Sequence, residues 1–325
     1  RQMCIRDSYL EWFGVEPPEL FQPEVAVDEE AEAEVEDVED EEAEAVTEEE
    51  EAEAEGEEAE EAEEAEAEAE EPAAMQAETD FGVVTIGMNA EYPPFEFVDE
   101  DGVITGFDPA LVALIAERAG FEYELVNTRW DGIFVALASG EFDMVASAAT
   151  ITDEREEIVD FSNPYFYANQ RIAVLEERAE EIQGVDDLAG LRIGVQSGTT
   201  GDIYASEEIP GVEVVRYDEI TLAFQALANG NVDAIVNDGP TSADIIANNP
   251  ELNAVLVGEP LSEEYYGIAV QPDLPELLDA VNAALEELIA DGTYRELYLE
   301  WFDVEPPELF QPEVVVDEEA ESESD

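Results

Sequence analysis

Short apolar runs alternate with amphipathic segments through the middle of the chain. The runs VVTIGM at 83–88, YELVN at 123–127 and FDMVAS at 142–147 have the length and composition of β-strands. Between them, DPALVALIAERAG at 108–120 and WDGIFVALASG at 130–140 place apolar residues at helical spacing. The pattern predicts an α/β domain with a mainly parallel sheet.

Local signals set the ends of the first predicted helix, and the alternation continues beyond it. Asp108 before Pro109 is typical of a helix N-cap followed by proline in the first turn, and Gly120 of a C-terminal stop. The later predicted strands and helices are LRIGVQ, VEVVRY, TLAFQALANG, VDAIVN and TSADIIANN. In open α/β sheets, ligands bind beyond the carboxyl ends of the strands, so we expect the binding residues in the loops that follow the strands.

The flanking segments lack this pattern. Residues 28–71 hold 28 acidic residues and almost no large apolar ones, which predicts an extended, solvated linker. The stretch at 9–32 repeats the stretch at 298–321 with two differences, which indicates a tandem repeat or a cloning artefact. The predicted organisation is the tail of a preceding, similar domain or an artefact at 1–27, an acidic linker at 28–79, a globular domain at 80–310 and an acidic tail at 311–325.

Net charge narrows the possible partners. The chain carries 89 acidic residues against ten arginines and no lysine, a formal net charge of −79. A field of that sign repels nucleic acid and anionic membrane surfaces. Acid excess without lysine favours adaptation to strong brine, where salt screens the self-repulsion; the alternative is a merely acidic protein.

Composition also removes several chemistries. The chain has no histidine, and Cys4 is its only cysteine, which excludes Ser-His-Asp and Cys-His catalysis, the usual zinc sites and an intrachain disulfide. The glycine-rich turn GVQSGTTGD at 194–202 lacks the lysine of a nucleotide-binding P-loop. It follows a predicted strand and opens a helix, so its backbone N–H groups can hold a small anion such as a carboxylate. We expect no catalytic residue, metal or cofactor.

Two charged residues follow predicted strands. Arg155 lies in the first turn of the helix after FDMVASAATIT, where its guanidinium can fork onto a carboxylate, with Thr150 adding hydroxyl and backbone donors. Asp238 ends the strand in AIVNDGP and can accept an ammonium group. An anion clamp and an acidic acceptor at separate strand ends suit a zwitterion.

Each of these residues has a structural alternative. Arg155 can pair with Glu156 or Asp160, and Asp238 can cap the helix predicted at 241–248. The aromatic residues that follow strands, Tyr92 and Trp130, can pack against a ligand or fill the core.

Taken together, the motifs from about residue 80 to residue 303 resemble the extracytoplasmic solute-binding proteins of ABC importers, in family 3, which binds polar amino acids. They are AEYPPFEFVDEDGVITGFDPALVALIAERAG, WDGIFVALASGEFDMVASAATITDEREEIVDFSNPY, GVQSGTTG, DAIVND and DGTYRELYLEWF, in the family's order. The resemblance implies a bilobed type II periplasmic-binding-protein fold of two α/β lobes joined by two crossover strands. The implied lobes are 80–168 with 266–310, and 169–265.

The resemblance also implies roles for individual residues. Arg155 corresponds to the clamp for the ligand's α-carboxylate, with donors at Thr150 and at Thr199 or Thr200. Asp238, helped by Ser147, corresponds to the acceptor of the α-ammonium group. The implied side-chain pocket consists of Asn89, Tyr92, Trp130, Ala148, Gln196 and Asn237.

Two departures from the family bear on the ligand. Many relatives that bind basic amino acids or glutamine have an aspartate at the position of Asn89, and the turn often has a lysine at the position of Gln196. The loss of both charges favours an uncharged polar side chain such as glutamine, although tyrosine and tryptophan can also sandwich a guanidinium.

The implied function is extracytoplasmic binding of a polar amino acid by lobe closure and its delivery to an ABC transporter permease. We expect a monomer, free or tethered outside the membrane, and no enzymatic activity. Two alternatives stay open: the ligand-sensing module of a receptor, and a dehydratase acting on prephenate or arogenate.

Overall fold

A computed structural model describes residues 81–311. The predicted tail at 1–27, the linker at 28–79 and the acidic tail from 312 onward lie outside the described residues. Within residues 81–311, no helix is sufficiently long and apolar to cross a membrane.

Strands and helices follow one another as the sequence pattern predicts. The strands are β1 (Val83–Met88), β2 (Glu91–Tyr92), β3 (Glu96–Val98), β4 (Ile104–Thr105), β5 (Glu122–Asn127), β6 (Met144–Val145), β7 (Asp160–Phe161), β8 (Phe166–Ala168), β9 (Gln170–Leu175), β10 (Arg192–Gln196), β11 (Glu213–Tyr217), β12 (Ala234–Asp238), β13 (Ala254–Val257), β14 (Glu264–Tyr266) and β15 (Ala269–Val270). The α-helices are α1 (Phe107–Ala119), α2 (Ile133–Ala138), α3 (Asp153–Glu156), α4 (Thr200–Glu207), α5 (Ile220–Ala228), α6 (Gly239–Asn248), α7 (Pro275–Ala290) and α8 (Thr293–Phe302).

Ten of these strands form two separate five-stranded sheets, one in each lobe. The first has the order β5-β1-β6-β15-β7 and the second the order β11-β10-β12-β9-β13. In each sheet four strands run in the same direction, and only one, β15 in the first sheet and β9 in the second, runs antiparallel to them. Each sheet is therefore mainly parallel, as the sequence pattern predicts, with one antiparallel strand. The antiparallel pairs include β9 and β15, the first strands of their sheets after the chain has crossed between lobes.

Two crossover strands join the lobes. β8 pairs antiparallel with β14, with Glu264 opposite Ala168 and Tyr266 opposite Phe166. The same strands are anchored in the core of the first lobe, since Phe95 packs edge-on against Phe166 at 4.8 Å and against Tyr266 at 5.2 Å. The hinge is therefore built on the first lobe.

The first helix starts earlier than the sequence predicts. It begins at Phe107, and Asp108 is its second residue rather than its N-cap. Gly106 precedes it with φ 135°, and a Cβ there would lie 2.1 Å from the carbonyl oxygen of Phe95. This close approach places the helix start, and it leaves the Asp108 carboxylate buried in the interior. Gly120 ends the helix in the left-handed conformation, as predicted.

Candidate functional site

A cavity lies between the two lobes. The carboxyl ends of several strands point towards this cavity, as expected for an α/β fold. Eleven of the twelve residues predicted from the sequence line it, and Asn237 lies just behind it. The lining residues are Asn89, Tyr92, Glu96, Trp130, Ser147, Ala148, Thr150, Arg155, Gln196, Thr199, Thr200 and Asp238.

Arg155 is buried and has no carboxylate partner within residues 81–311. Its backbone is fixed at the start of α3, where the Thr152 hydroxyl accepts from the Arg155 N–H at 3.3 Å. Its guanidinium donates to the carbonyl of Thr150 at 2.6 Å and lies 5.1 Å from the ring centroid of Trp130 and 4.6 Å from that of Phe134. Burial lowers the pKa of this guanidinium to about 10, and the charges of Glu264 and Asp238 oppose that change.

Most of the other arginines in the described residues form ion pairs, which makes the lack of one at Arg155 unusual. Of the eight arginines in residues 81–311, only Arg155 and Arg171 form no ion pair. The proposed alternative of a pair with Glu156 or Asp160 is therefore not what the described residues show. A buried guanidinium with unused donors beside a cavity is suited to a carboxylate from outside the chain.

Asp238 closes the opposite side of the cavity. It precedes α6, but its side chain makes no capping hydrogen bond there, so the helix-cap alternative does not hold. Its carboxylate instead accepts from the Tyr266 hydroxyl and from the Gln170 amide. The pKa of the Asp238 carboxyl is raised to about 7, mainly by burial and secondly by the nearby charge of Glu264.

Buried amides meet across the cleft. The Gln196 amide donates to the Asn89 side-chain oxygen at 2.9 Å. The Tyr92 hydroxyl donates to Asn237 at 3.0 Å, which ties Asn237 to the site although it does not line the cavity. Trp130 donates its indole N–H to the carbonyl of Gly198 at 3.1 Å. The two lobes are therefore in direct contact, and the cleft is closed.

Glu96 is the lining residue that the sequence did not reveal. Ser147 donates to one of its carboxylate oxygens at 2.7 Å, and the other oxygen has no hydrogen-bond partner among the described residues. The pKa of the Glu96 carboxyl is raised well above its usual range, mainly by burial and secondly by the nearby charge of Asp108. The motif PPFEF contains the only available signal, an acid between apolar residues of a short strand, and three residues do not show which face points inward.

Asp108 supports the loop that follows β6. Its carboxylate accepts from the N–H of Ala148 and from the Tyr165 hydroxyl, each at 2.7 Å. Ala148 has φ 44°, a left-handed conformation that alanine rarely adopts. The hydrogen bond from its N–H to Asp108 helps to hold this strained residue at the cavity wall.

The buried acids predict how stability depends on pH. Burial raises the pKa of Asp108 to about 7, so the folded state retains its proton where the unfolded chain has lost it. The stabilisation is complete below about pH 4 and is lost as pH rises through 7. We expect the free energy of unfolding to fall by about 1 kcal/mol per pH unit between pH 5 and 7 for each such carboxyl.

Thermal unfolding at fixed molar salt measures this dependence. Asp108→Asn should flatten the slope, whereas Glu117→Gln, at an exposed position on the same helix, should leave it unchanged. Equal slopes in wild type and Asp108→Asn would contradict the assignment.

The fold and the cavity define a bilobed binding protein with the type II periplasmic-binding-protein fold. No group of three or more metal-ligating side chains is found among residues 81–311. Residues 84–304 match the family of bacterial extracellular solute-binding proteins, family 3. The chain belongs to that family.

Individual relatives agree with this assignment. The chain is 35% identical over 221 residues to the L-cystine-binding protein TcyJ of Escherichia coli K12, which covers 68% of this chain and 83% of that protein. It is 36% identical over 227 residues to the L-arginine-binding protein of Pseudomonas aeruginosa PAO1, covering 67% and 87%. Solved structures of an ancestral arginine-binding protein bound to glutamine and to arginine are both 41% identical, with TM-scores of 0.66 and 0.65, and each match covers 68% of this chain and 98% of the other.

Proposed function

We propose that the protein binds a polar amino acid as a zwitterion, outside the cytoplasm, and delivers it to the permease of an ABC transporter. The observation that carries the proposal is that Arg155 and Asp238, two buried groups of opposite charge type, face the same cavity without contacting each other. A buried guanidinium that forms no ion pair within the described part of the chain and a buried carboxylate with a pKa raised to about 7 face one cavity from different lobes. The α-carboxylate would bind at Arg155 and the α-ammonium group at Asp238.

Closure and binding then form one equilibrium. Arg155 belongs to the first lobe and Asp238 to the second, so a zwitterion between them favours the closed arrangement. We propose that the protein acts as a monomer, free or tethered at the outer face of the membrane. This role fits the names of the relatives, which are binding proteins for cystine and arginine.

Two ligands are favoured by different observations. The neutral amide pair of Asn89 and Gln196 suits an uncharged amide side chain such as that of glutamine. The unpartnered oxygen of Glu96 suits a guanidinium, and the cavity's single arginine is outnumbered by buried carboxylates. We propose arginine as the first candidate and glutamine as the second. An ancestral relative has been captured with each of them.

Calorimetric titration with the common amino acids tests both levels of the proposal. The full chain should be unfolded and refolded in molar salt to remove carried-over ligand. We expect saturable heat from a polar amino acid, with arginine bound more tightly than glutamine. No heat from any amino acid in a folded sample would overturn the binding function.

A variant of Glu96 distinguishes arginine from glutamine as the preferred ligand. A bound guanidinium favours the ionised form of Glu96. Glu96→Gln should therefore weaken arginine binding by at least about tenfold, because the guanidinium loses this charged partner, while glutamine binding changes by less than threefold. Equal effects on the two ligands would contradict a role for Glu96 in charge recognition.

A further inference from the structure

A single carboxylate oxygen connects both lobes at the hinge. Glu264 is the first residue of the crossover strand β14, and its Oε2 accepts from the hydroxyls of Thr150 and Thr200, each at 2.8 Å. Thr150 belongs to the first lobe, and Thr200 opens α4 of the second. The other carboxylate oxygen accepts from Ser262 at 2.8 Å within the same crossover segment.

The two ends of this connection differ in how they are held. Thr150 forms a β-bridge with Tyr266, and its neighbour Ile151 donates its N–H to the carbonyl of Tyr265 at 2.8 Å. The first-lobe end is thus fixed to the hinge by backbone pairing. Thr200 reaches the hinge through side chains, by its bond to Glu264 and by a bond from the Gln170 amide at 3.1 Å. The second-lobe end is therefore the one that depends on closure.

Hydrogen-bond polarity decides what the threonines offer to a ligand. Each hydroxyl has one hydrogen, and in this arrangement both hydrogens go to Glu264. The hydroxyls then present only lone pairs to the cavity, which suit a donor rather than a carboxylate. An anionic group is left to Arg155 and to backbone N–H groups.

Glu264 itself does not line the cavity, and it forms no ion pair with Arg155. Its position behind the two threonines separates it from a bound molecule. It can therefore act on binding through the lobes without touching the ligand.

We propose that Glu264 is a positioning residue that ties the closed lobes together through Thr150 and Thr200 and so sets the lifetime of the complex. The tie stabilises the closed state through the hydrogen bond from Thr200 to Glu264, which is independent of the ligand's side chain. This inference rests on the proposed function, because the effect of the tie is measured as the time for which an amino acid stays bound.

Stopped-flow dissociation of L-arginine and of L-glutamine from the full chain, followed by tryptophan fluorescence, tests the tie. Glu264→Ala should speed dissociation by about tenfold, the effect expected for about one net hydrogen bond or more, while the association rate changes by less than threefold. Glu264→Gln should restore the wild-type rate to within threefold, because its amide oxygen can accept from both hydroxyls. Glu263→Ala, at the exposed position next to Glu264, is the matched control.

A double-mutant cycle with Thr200→Val tests whether Glu264 acts through its hydrogen bond to Thr200. Once Thr200 has lost its hydroxyl, Glu264→Ala should add less than about twofold to the dissociation rate. Additive effects would overturn the tie to the second lobe. Glu264→Met fills the same volume without an acceptor and replaces the alanine variant if that one fails to fold.

The outcomes separate this inference from the proposed function. A wild-type chain that binds no amino acid overturns the function and the tie together. A wild-type chain that binds, with Glu264→Ala dissociating within twofold of it, overturns the tie alone. A Glu264→Gln variant as fast as Glu264→Ala also overturns it, since the negative charge and not the bridging acceptor would then control dissociation.

Discussion

Replacing Arg155 by alanine is expected to weaken amino-acid binding by about 2–5 kcal/mol, the range for removing one partner of a buried, hydrogen-bonded charge pair. Arg155 is 8% exposed, and its guanidinium donates to the carbonyl of Thr150 and has no ion-pair partner among residues 81–311. The variant leaves a ligand carboxylate buried without its counter-charge. Isothermal titration calorimetry of the full chain in molar salt measures the change.

Two further variants make this result specific. Arg171→Ala removes the other arginine that forms no ion pair among residues 81–311. Arg171 lies outside the cavity lining, so this variant should keep its affinity within threefold of wild type. Arg155→Lys keeps the charge but loses the planar fork, so we expect an intermediate loss. An Arg155→Ala variant that binds within threefold of wild type would remove Arg155 from the carboxylate site.

The chain's composition makes the isolation of Arg155 informative. With 89 acidic residues against ten arginines, almost any arginine has a carboxylate within reach. Arg129, which is exposed, pairs with Asp218 across the mouth of the cleft at 3.1 Å. Such exposed pairs contribute little and are screened in brine, whereas a desolvated pair inside the cavity keeps its strength. A ligand contact built on Arg155 therefore remains effective in high salt.

Local sequence signals point to part of the site. Arg155, Thr150 and Asp238 each follow a strand, and the carboxyl ends of neighbouring strands converge at one edge of a sheet. The resemblance supplied the remaining members, from Asn89 to Gln196. The structure brings eleven of the twelve to one cavity, and their contacts with a ligand stay a prediction.

Long-range pairing is what the sequence could not show. Glu264 is 114 residues from Thr150 and 64 from Thr200, and nothing local marks it as a bridge. Glu96 looks like a surface position of a short strand, because three residues give no usable periodicity. Asp108 reads as a helix cap until the close approach of Gly106 to Phe95 moves the helix start.

Replacing Asp238 by asparagine is expected to weaken binding by about 2–5 kcal/mol, because the α-ammonium group loses its buried, charged acceptor. The carboxylate is held towards the cavity by Tyr266 and Gln170, so the change removes charge more than shape. Asp244→Asn is the matched control, since Asp244 lies on the following helix and does not line the cavity. It should leave affinity within threefold of wild type.

The pH dependence of binding gives an independent test of the same residue. The pKa of Asp238 is raised to about 7, and a neighbouring ammonium group favours the ionised form, so binding releases a proton below pH 7. Affinity should therefore fall as pH drops from 7 to 5, by up to about tenfold per pH unit, and stay level from pH 7.5 to 8.5. Calorimetry in buffers of different ionisation enthalpy counts the released protons. Asp238→Asn should abolish most of this release, and an unchanged proton count in that variant would assign the titration to another group, with Glu96 the next to examine.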